Sequence, residues 1–353
     1  WWEEHRPPPL GVPELDLTVT DLRNDEAVLD LENYAKDEAL ERAIRAFGGK
    51  ASHSAAMALM EGVRWPAAFA VPAHYYWQFM EANGFHTRIA GLLDDPQFTG
   101  DPAVRSEALE QLRTDMMAAP LDASFLQMLT DKINTDYAGN TRMRFRSSTN
   151  EEDLEGFTGA GLHTSKTGDP NDPAEPVPDA IREVWTSLWD FRTYEEREYR
   201  GIDHTQVAMA LLVHRAFVGE EAGGVAVSGN IFDTAGLEPA FYINAQHGET
   251  SVVLPDPDVT TDQLIFYYDY PNQPIVYVGH SNLIGVGETV LTRAAVQELG
   301  AMMKTVHDYY AEVYGGVPFY ALEIDWKFYS EGDDPPHIWL KQCRPYPGWG
   351  TAE

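Results

Sequence analysis

Around residue 205 the hydrophobic period of this chain changes, and that change limits its fold more than any other feature. Upstream, apolar residues recur at helical spacing: the segment 179–199 puts Ile181, Val184, Trp185, Leu188 and Trp189 on one face. Downstream, short runs of strand character follow one another: VAMALLVHRAF, GGVAVSGNIF, AFYINAQ, SVVLPD, QLIFYYDY and PIVYVG. One amphipathic helix (293–314, with Val296, Leu299, Met303, Val306 and Tyr310) interrupts them, and two last strands, FYALEIDWKF and HIWLKQCRP, flank the polar loop SEGDDPP. Helices first and strands later give an α+β chain, with a helix-rich N-terminal lobe and a strand-rich C-terminal lobe. Three segments are expected: an arm at 1–35 carrying one strand (LDLTVTDL), an N-terminal part at 36–204 and a C-terminal lobe at 205–353. Within the N-terminal part, 36–61 has helical period broken by Gly48-Gly49, and a strand is expected between Trp65 and Val71. Pro72 opens a helix that stops at Asn83-Gly84, and two helical stretches fill 101–137.

The net charge is −31, and only seven of the 25 basic residues are lysine. Such a surface repels nucleic acid and anionic lipid, so neither is an expected partner. No run of eighteen apolar residues appears, which argues against membrane insertion. The single cysteine, Cys343, excludes an internal disulfide and a cysteine-based zinc site. The opening WWEEHRPPPLGVPEL has neither an initiator Met nor the pattern of a signal peptide, so the chain reads as a piece of something longer, with a cytoplasmic location favoured. The charge has a local corollary. If such a chain binds a polyanion, its few cations must outweigh a repulsive field, which singles out Lys50, Arg146, Arg215 and Arg344.

The segment 142–166, RMRFRSSTNEEDLEGFTGAGLHTSK, brings one of these cations together with phosphate-binding chemistry. Arg146 ends an alternating run, Ser147 and Ser148 supply hydroxyls, and Gly156, Gly159 and Gly161 follow an acidic turn. Without Cβ atoms, a G-x-x-G-x-G loop lets amide N–H groups approach an anion closely. The same spacing also occurs in ordinary turns. FGGKASHSAAM places Lys50 after a glycine pair at a helix start, where its charge would add to the helix dipole. The spacing is not that of a Walker A loop. In the last hairpin Glu323 and Asp325 stand at i and i+2, so both carboxylates share one strand face, with Leu322 and Ile324 on the other. With Gln342 on the partner strand they would form a hard-oxygen set suited to Mg²⁺, or else a solvated edge. INAQHGET presents Gln246 and Glu249 after a strand, and Glu249 could accept ribose hydroxyls.

These segments, in this order, resemble the ATP-binding domain of the dikinase family, which includes phosphoenolpyruvate synthase, pyruvate phosphate dikinase, glucan water dikinase and rifampicin phosphotransferase. GGKASHSAAMALMEGVRWPAAFAVPAHYYWQFMEANGF is similar to the family's opening block, and RFRSSTNEEDLEGFTGAGL to its "VRSS…EDL…G" block. VWTSLWDFRTYEEREYRGIDH, VAMALLVHRAF and GGVAVSGN continue the match, and LEIDW…IWLKQCRP resembles the closing "D-I-E-W … Q-x-R-P" signature. Coverage is about residues 40–346. The resemblance implies an ATP-grasp fold with nucleotide between two lobes and ATP and Mg²⁺ as cofactors. Lys50 and Arg146 would meet the phosphates, the Gly156–Gly161 loop would cover them, and Arg344 would add charge. Val213, Arg215 and Phe217 would form the adenine-side hinge, with Glu249 near the ribose. Glu323, Asp325 and Gln342 would organise Mg²⁺.

The implied activity is a dikinase reaction. ATP is split to AMP, the β-phosphate goes to a histidine on a swivelling phosphohistidine domain of a longer parent chain, and the γ-phosphate goes to water or inorganic phosphate. The final acceptor would be a glucan or pyruvate. "EDLEGFTGAGL", and a chain that stops soon after QCRP, resemble the glucan-dikinase arrangement. His53 stands in a GGKASH segment similar to the swivelling domain's "GG-x-x-SH"; its other reading is a helix-surface histidine. Three departures stand out. The closing pair is Glu-Ile-Asp rather than Asp-Ile-Glu, the hinge is Val213-His214-Arg215-Ala216-Phe217 rather than V-Q-K-M-V, and the insertion 263–288 has no counterpart. They leave open a second reading, a degenerate non-catalytic nucleotide-binding or interaction module.

Overall fold

In the computed structural model, which describes residues 7–346 apart from 153, 155, 156, 158, 160, 234, 251, 254, 315–320 and 333, the change of period corresponds to two separate antiparallel sheets. The chain divides into two units: Trp1–Asn33, Glu38–Ser52 and Ala67–Ala216 form the first, and Tyr34–Asp37, His53–Pro66 and Phe217–Glu353 the second. In this part of the chain the first unit runs to Ala216 and the second resumes at Phe217. The strand that follows residue 205 does not join the later ones, because it pairs on both sides with strands of the first unit.

The first unit begins with β1 (Arg23–Asn24) and the short helix α1 (Asp25–Val28), followed by α2 (Lys36–Ala58, of which Glu38–Ser52 belong to this unit), β2 (Ala68–Val71), α3 (Ala73–Ala82), α4 (Phe85–Leu93), α5 (Pro96–Gly100), α6 (Pro102–Ala118) and α7 (Ala123–Asp136). It closes with β3 (Met143–Thr149), β4 (Ser165–Gly168), α8 (Val177–Thr186), α9 (Phe191–Arg200) and β5 (Met209–Arg215). The sheet order is β1-β2-β5-β3-β4. One of its faces carries Phe69, Val71, Phe145, Leu211 and Val213 into a core with Trp185, Leu188 and the apolar faces of α6 and α7. Arg144 and Arg146 alternate with these residues and so lie on the opposite face of β3.

Local chemistry explains where the sequence expectation and the fold part. LDLTVTDL does not form a strand, because the Asp16 carboxylate accepts from both the N–H and the hydroxyl of Thr18 and turns the chain. The helix expected over 179–199 is cut at Asp190, which has extended backbone and caps α9 by accepting from the Arg192 N–H at 3.1 Å. Its apolar stripe is nonetheless entirely buried.

The second unit contains β6 (Ala222–Val227), β7 (Phe241–His247), β8 (Asp262–Phe266), β9 (Ile275–Gly279), α10 (Arg293–Val313), β10 (Leu322–Tyr329) and β11 (His337–Pro345). The sheet order is β11-β10-β6-β7-β8-β9. Helix α10 lies so close on this sheet that a Cβ at Gly300 would come within 2.2 Å of the Phe266 ring. The expected stripe Val296, Leu299, Met303, Val306 and Tyr310 is its buried face. The 263–288 insertion is the β8–β9 hairpin at the sheet edge. SVVLPD is not a strand where it is described: Val252 and Val253 lie in a bend, while residues 251 and 254 fall outside the described set.

Helix α2 breaks at Gly48, whose φ of 74° and ψ of 171° are non-helical. An unbroken helix would bond the Ala51 N–H to the Phe47 carbonyl. The Ser148 hydroxyl takes both positions, accepting from Ala51 N–H at 2.9 Å and donating to the Phe47 carbonyl at 2.6 Å. A side chain inserted into the ladder is a recognised cause of a kink. A Cβ at Gly48 would sit 2.3 Å from the Ser148 carbonyl oxygen. Gly48→Ala is therefore expected to destabilise the chain by about 3 kcal/mol or more, from steric overlap added to a left-handed φ. Gly91→Ala, inside α4 with no atom within 4 Å of the added Cβ, should be neutral or stabilising by up to about 1 kcal/mol. Urea unfolding of both variants checks the contrast.

Candidate functional site

The restart of α2 just beyond Gly48 aims Lys50 at the end of β3. Its ammonium donates to Ser147 Oγ at 2.9 Å and to Glu152 Oε1 at 2.9 Å. Glu152 is in turn fixed by the Thr149-Asn150-Glu151-Glu152 segment. Thr149 N–H donates to Glu152 Oε2 at 3.0 Å, and Glu152 N–H donates to Thr149 Oγ1 at 3.1 Å. This is the reciprocal bonding of a capping box, used here to lock a carboxylate rather than to begin a helix. An ammonium has three N–H donors. Two are committed, and the third has no acceptor among the described residues. Lys50 keeps 11% side-chain exposure, so it is a pre-aimed cation with one donor available.

A second buried acid stands beside the first. Glu151, fully buried, lies 3.2 Å from the Arg197 guanidinium and 3.2 Å from His163 Nε2. Arg197 also donates to the Leu188 carbonyl at 2.7 Å and to His204 Nδ1 at 3.1 Å. Burial works to raise the carboxyl pKa of both glutamates, yet both are held below the ordinary 4.5. Arg197 and His163 outweigh burial at Glu151; Lys50, His163 and the Thr149 amide do so at Glu152. Burial lowers the pKa of His204, which keeps it neutral beside the arginine. The sequence reading missed this network. Its one legible trace was the T-x-x-E spacing at Thr149 and Glu152.

Of the loop glycines, Gly156 lies outside the described residues. Gly159 and Gly161 have φ of 63° and 70°, a left-handed backbone that favours glycine. A Cβ at Gly159 would stand 3.4 Å from Glu152 Cγ, which places this part of the loop against the Lys50 partner. Arg146 is partly exposed, opposite Leu212 on β5 and Ser165 on β4. The hinge residues separate. Val213 is a fully buried core residue of a central strand, so its side chain is not offered to a ligand. Arg215 ends β5 with its guanidinium 5.7 Å from the Tyr137 ring centre. Phe217 opens the next part of the second unit and packs edge-on against Tyr329, with Lys341 Nζ 5.5 Å from its ring centre.

In the second unit, Glu323 lies opposite Arg344 and Asp325 opposite Gln342 across the β10–β11 ladder. Leu322, Ile324 and Trp326 are fully buried on the other face, as the alternation requires. Glu323 is ion-paired with Arg344. The Asp325 carboxylate makes no hydrogen bond or ion pair among the described residues. Among the described residues no group of three or more His, Cys, Asp or Glu is placed to hold a metal ion. Glu249 is exposed in the turn after β7 and accepts from the Gly219 N–H at 3.2 Å. Gln246 is not presented to a ligand. It is fully buried, donating to the Thr260 carbonyl and accepting from Ser281 Oγ. His53 is likewise no surface histidine: it is buried, with Nε2 2.7 Å from the Tyr314 hydroxyl.

The family described as "Pyruvate phosphate dikinase, AMP/ATP-binding domain" matches residues 44–353. A phosphoenolpyruvate synthase of Aeropyrum pernix is 23% identical over 350 residues, covering 87% of this chain and 41% of that protein. The phosphoenolpyruvate synthase of Escherichia coli is 26% identical over 253 residues, 69% of this chain and 30% of its own length. A rifampicin phosphotransferase from a Streptomyces species is 27% identical over 218 residues, 61% of this chain and 24% of its own. The chain thus spans less than half the length of these relatives. No helix among the described residues is long and apolar enough to cross a membrane.

The buried pairs carry a pH dependence. Because the folded pKa values of Glu151 and Glu152 are depressed, their contribution to stability is complete above the ordinary 4.5 and is lost as pH falls through the folded values. Lys50→Met should destabilise the chain at pH 7 by about 3 kcal/mol, since it leaves Glu152 buried without its partner. It should also turn the Glu152 contribution around, because burial then raises that carboxyl and stability grows as it protonates. Urea midpoints measured from neutral to acid pH in both proteins test this. An unchanged pH slope in Lys50→Met would mean the two groups are not coupled.

Proposed function

The chain belongs to the pyruvate phosphate dikinase AMP/ATP-binding domain family, and from that premise we propose that it is the ATP-grasp-type nucleotide domain of a dikinase phosphotransferase. The observation that carries this reading is Lys50, held by Ser147 and Glu152 with one N–H uncommitted among the described residues. A phosphate oxygen completes that donor set. Arg146 supplies a second cation, and the loop glycines allow backbone N–H groups to approach the triphosphate. Arg215 and Phe217 take the adenine side, and Glu249 the ribose. Fixed cations of this kind act mainly by stabilising charge on the phosphoryl group in transit.

Glu323, Asp325 and Gln342 fit Mg²⁺ in the chemistry of their donors, two carboxylates and an amide oxygen on neighbouring strands. When bound, the ion would neutralise phosphate charge. Arg344 holds Glu323 in place, while Asp325 offers the open carboxylate. The names of the relatives, phosphoenolpyruvate synthase and rifampicin phosphotransferase, support an ATP-dependent phosphotransferase. On this reading the β-phosphate goes to a histidine on a swivelling domain of a longer parent chain, and from there to pyruvate or a glucan. The γ-phosphate goes to water or phosphate.

Calorimetry of the chain with ATP and Mg²⁺ should give one-to-one binding. Lys50→Ala or Arg146→Ala should weaken it about tenfold or more, the worth of one charge-assisted hydrogen bond. Asp325→Asn should abolish the Mg²⁺ dependence. No binding, or binding indifferent to Lys50 and Arg146, would overturn the assignment. Nucleotide binding without AMP formation by the parent protein would instead identify a non-catalytic nucleotide module.

A further inference from the structure

Several arginines of the first unit stand beside carboxylates: Arg105 pairs with Glu195, Arg113 with Asp190, Arg142 with Glu175 and Arg182 with Asp179. In a chain of net charge −31 that is the expected state of a cation. Arg144 departs from it. It is partly buried near the start of β3, and among the described residues its side chain makes one hydrogen bond, from Nη1 to the neutral Thr167 Oγ1 at 3.2 Å. No carboxylate of those residues forms an ion pair with it. Burial first, and the neighbouring Arg142 second, lower its pKa, with no described acid acting in the other direction. Most of the five N–H donors of this guanidinium therefore have no acceptor among the described residues. An incoming oxyanion would supply both the acceptors and the countercharge.

The position of Arg144 on the strand indicates which oxyanion. Arg144 and Arg146 share one face of β3, about 7 Å apart along the strand. On β4 each stands opposite a hydroxyl residue, Thr167 and Ser165 respectively. On β5 Arg144 is opposite His214, and Met143 is opposite Arg215. Lys50 meets the same strand at Ser147. Along β3 the cations thus follow the order Lys50, Arg146, Arg144, Arg215. On the reading that Lys50 and Arg146 meet the phosphates and Arg215 takes the adenine side, we propose that Arg144 binds the α-phosphate, the one joined to the nucleoside.

A guanidinium fork suits two oxygens of one phosphate group. The α-phosphate is also the one that stays with the nucleoside when ATP is split to AMP. Arg144 therefore holds ATP and AMP alike, whereas Lys50, at the far end of the row, holds ATP only. The empty protein bears the opposite side of this arrangement. Without nucleotide the Arg144 charge is partly desolvated and uncompensated, so the residue weakens the fold that carries it.

Calorimetry of the 353-residue chain with ATP and with AMP, each with Mg²⁺, combined with urea unfolding in the absence of nucleotide, tests the proposal. Arg144→Met, which keeps an unbranched apolar stem and removes the charge, should weaken ATP and AMP by the same factor, about tenfold or more. Its urea midpoint should be unchanged or higher. Arg144→Lys, which keeps the charge without the fork, should bind both nucleotides with intermediate affinity. Lys50→Ala should weaken ATP alone. Unchanged affinities in Arg144→Met, with ATP binding still dependent on Lys50 and Arg146, overturn the α-phosphate assignment and leave the nucleotide reading standing. A loss confined to ATP also overturns it. So does binding of inorganic phosphate that Arg144→Met abolishes without affecting either nucleotide, which would mark an independent anion site. An Arg144→Met chain that is less stable or does not fold identifies a structural arginine and overturns it as well. A wild-type chain that binds neither nucleotide overturns both readings.

Discussion

The Ser148 hydroxyl, inserted into the helix ladder between Phe47 and Ala51, is the interaction on which the rest of the first unit's chemistry depends. It satisfies the two backbone groups that the Gly48 break would leave without partners, and in doing so it ties the helix to the end of β3. Once that junction exists, Lys50 must start from a fixed backbone position, and its ammonium reaches Ser147 and Glu152 rather than solvent. Glycine at 48 follows from the same contact, since the Ser148 carbonyl occupies the space a Cβ would need. A strand hydroxyl, a glycine and a lysine thus form one mechanical unit, although about a hundred residues separate them in sequence.

The second constraint is electrostatic. In so acidic a chain a cation left alone would be drawn to whichever carboxylate lay nearest. Here the relevant cations are matched in advance to designated acids: Lys50 to Glu152, Arg197 to Glu151, Arg344 to Glu323. Pairing of this kind costs desolvation and adds little net stability. What it supplies is direction. Glu152 can perform that role because both of its oxygens are committed, one to the Thr149 amide and one to Lys50. A glutamine could not accept at both positions, so the carboxylate is required on geometric grounds as well as for charge.

Much of this was legible in the sequence, for identifiable reasons. Periodicity located α10, the β10–β11 hairpin and the buried stripe through Trp185 and Trp189, because each depends on local spacing alone. The shared face of Glu323 and Asp325 followed from strand alternation. The family was legible because its motifs recur in order over the span that matches. Long-range pairing was not. Nothing local says that β5 belongs with β2 and β3 rather than with the strands after it. Glu151, Arg197, His163 and His204 escaped for the same reason, since each looks like an ordinary surface residue until the fold buries it. That the Val213 side chain belongs to the core was equally invisible, since it depends on which face of β5 the helices cover.

The inverted Glu-Ile-Asp order of the closing strand also follows from pairing. Position 323 faces Arg344, and position 325 faces Gln342. The longer side chain therefore stands opposite the arginine, where it reaches across the ladder to form an ion pair. The shorter one stands opposite a neutral amide and keeps its carboxylate uncommitted among the described residues. With the order reversed, an aspartate would have to span the arginine pair with one methylene fewer, and a longer glutamate would face the amide. The order in this chain thus divides the two acids by role: one holds the cation in place, and the other remains available as a hard-oxygen donor. That division depends on the Glu323–Arg344 ion pair, because without the arginine the two carboxylates would share one strand face with no countercharge assigned to either.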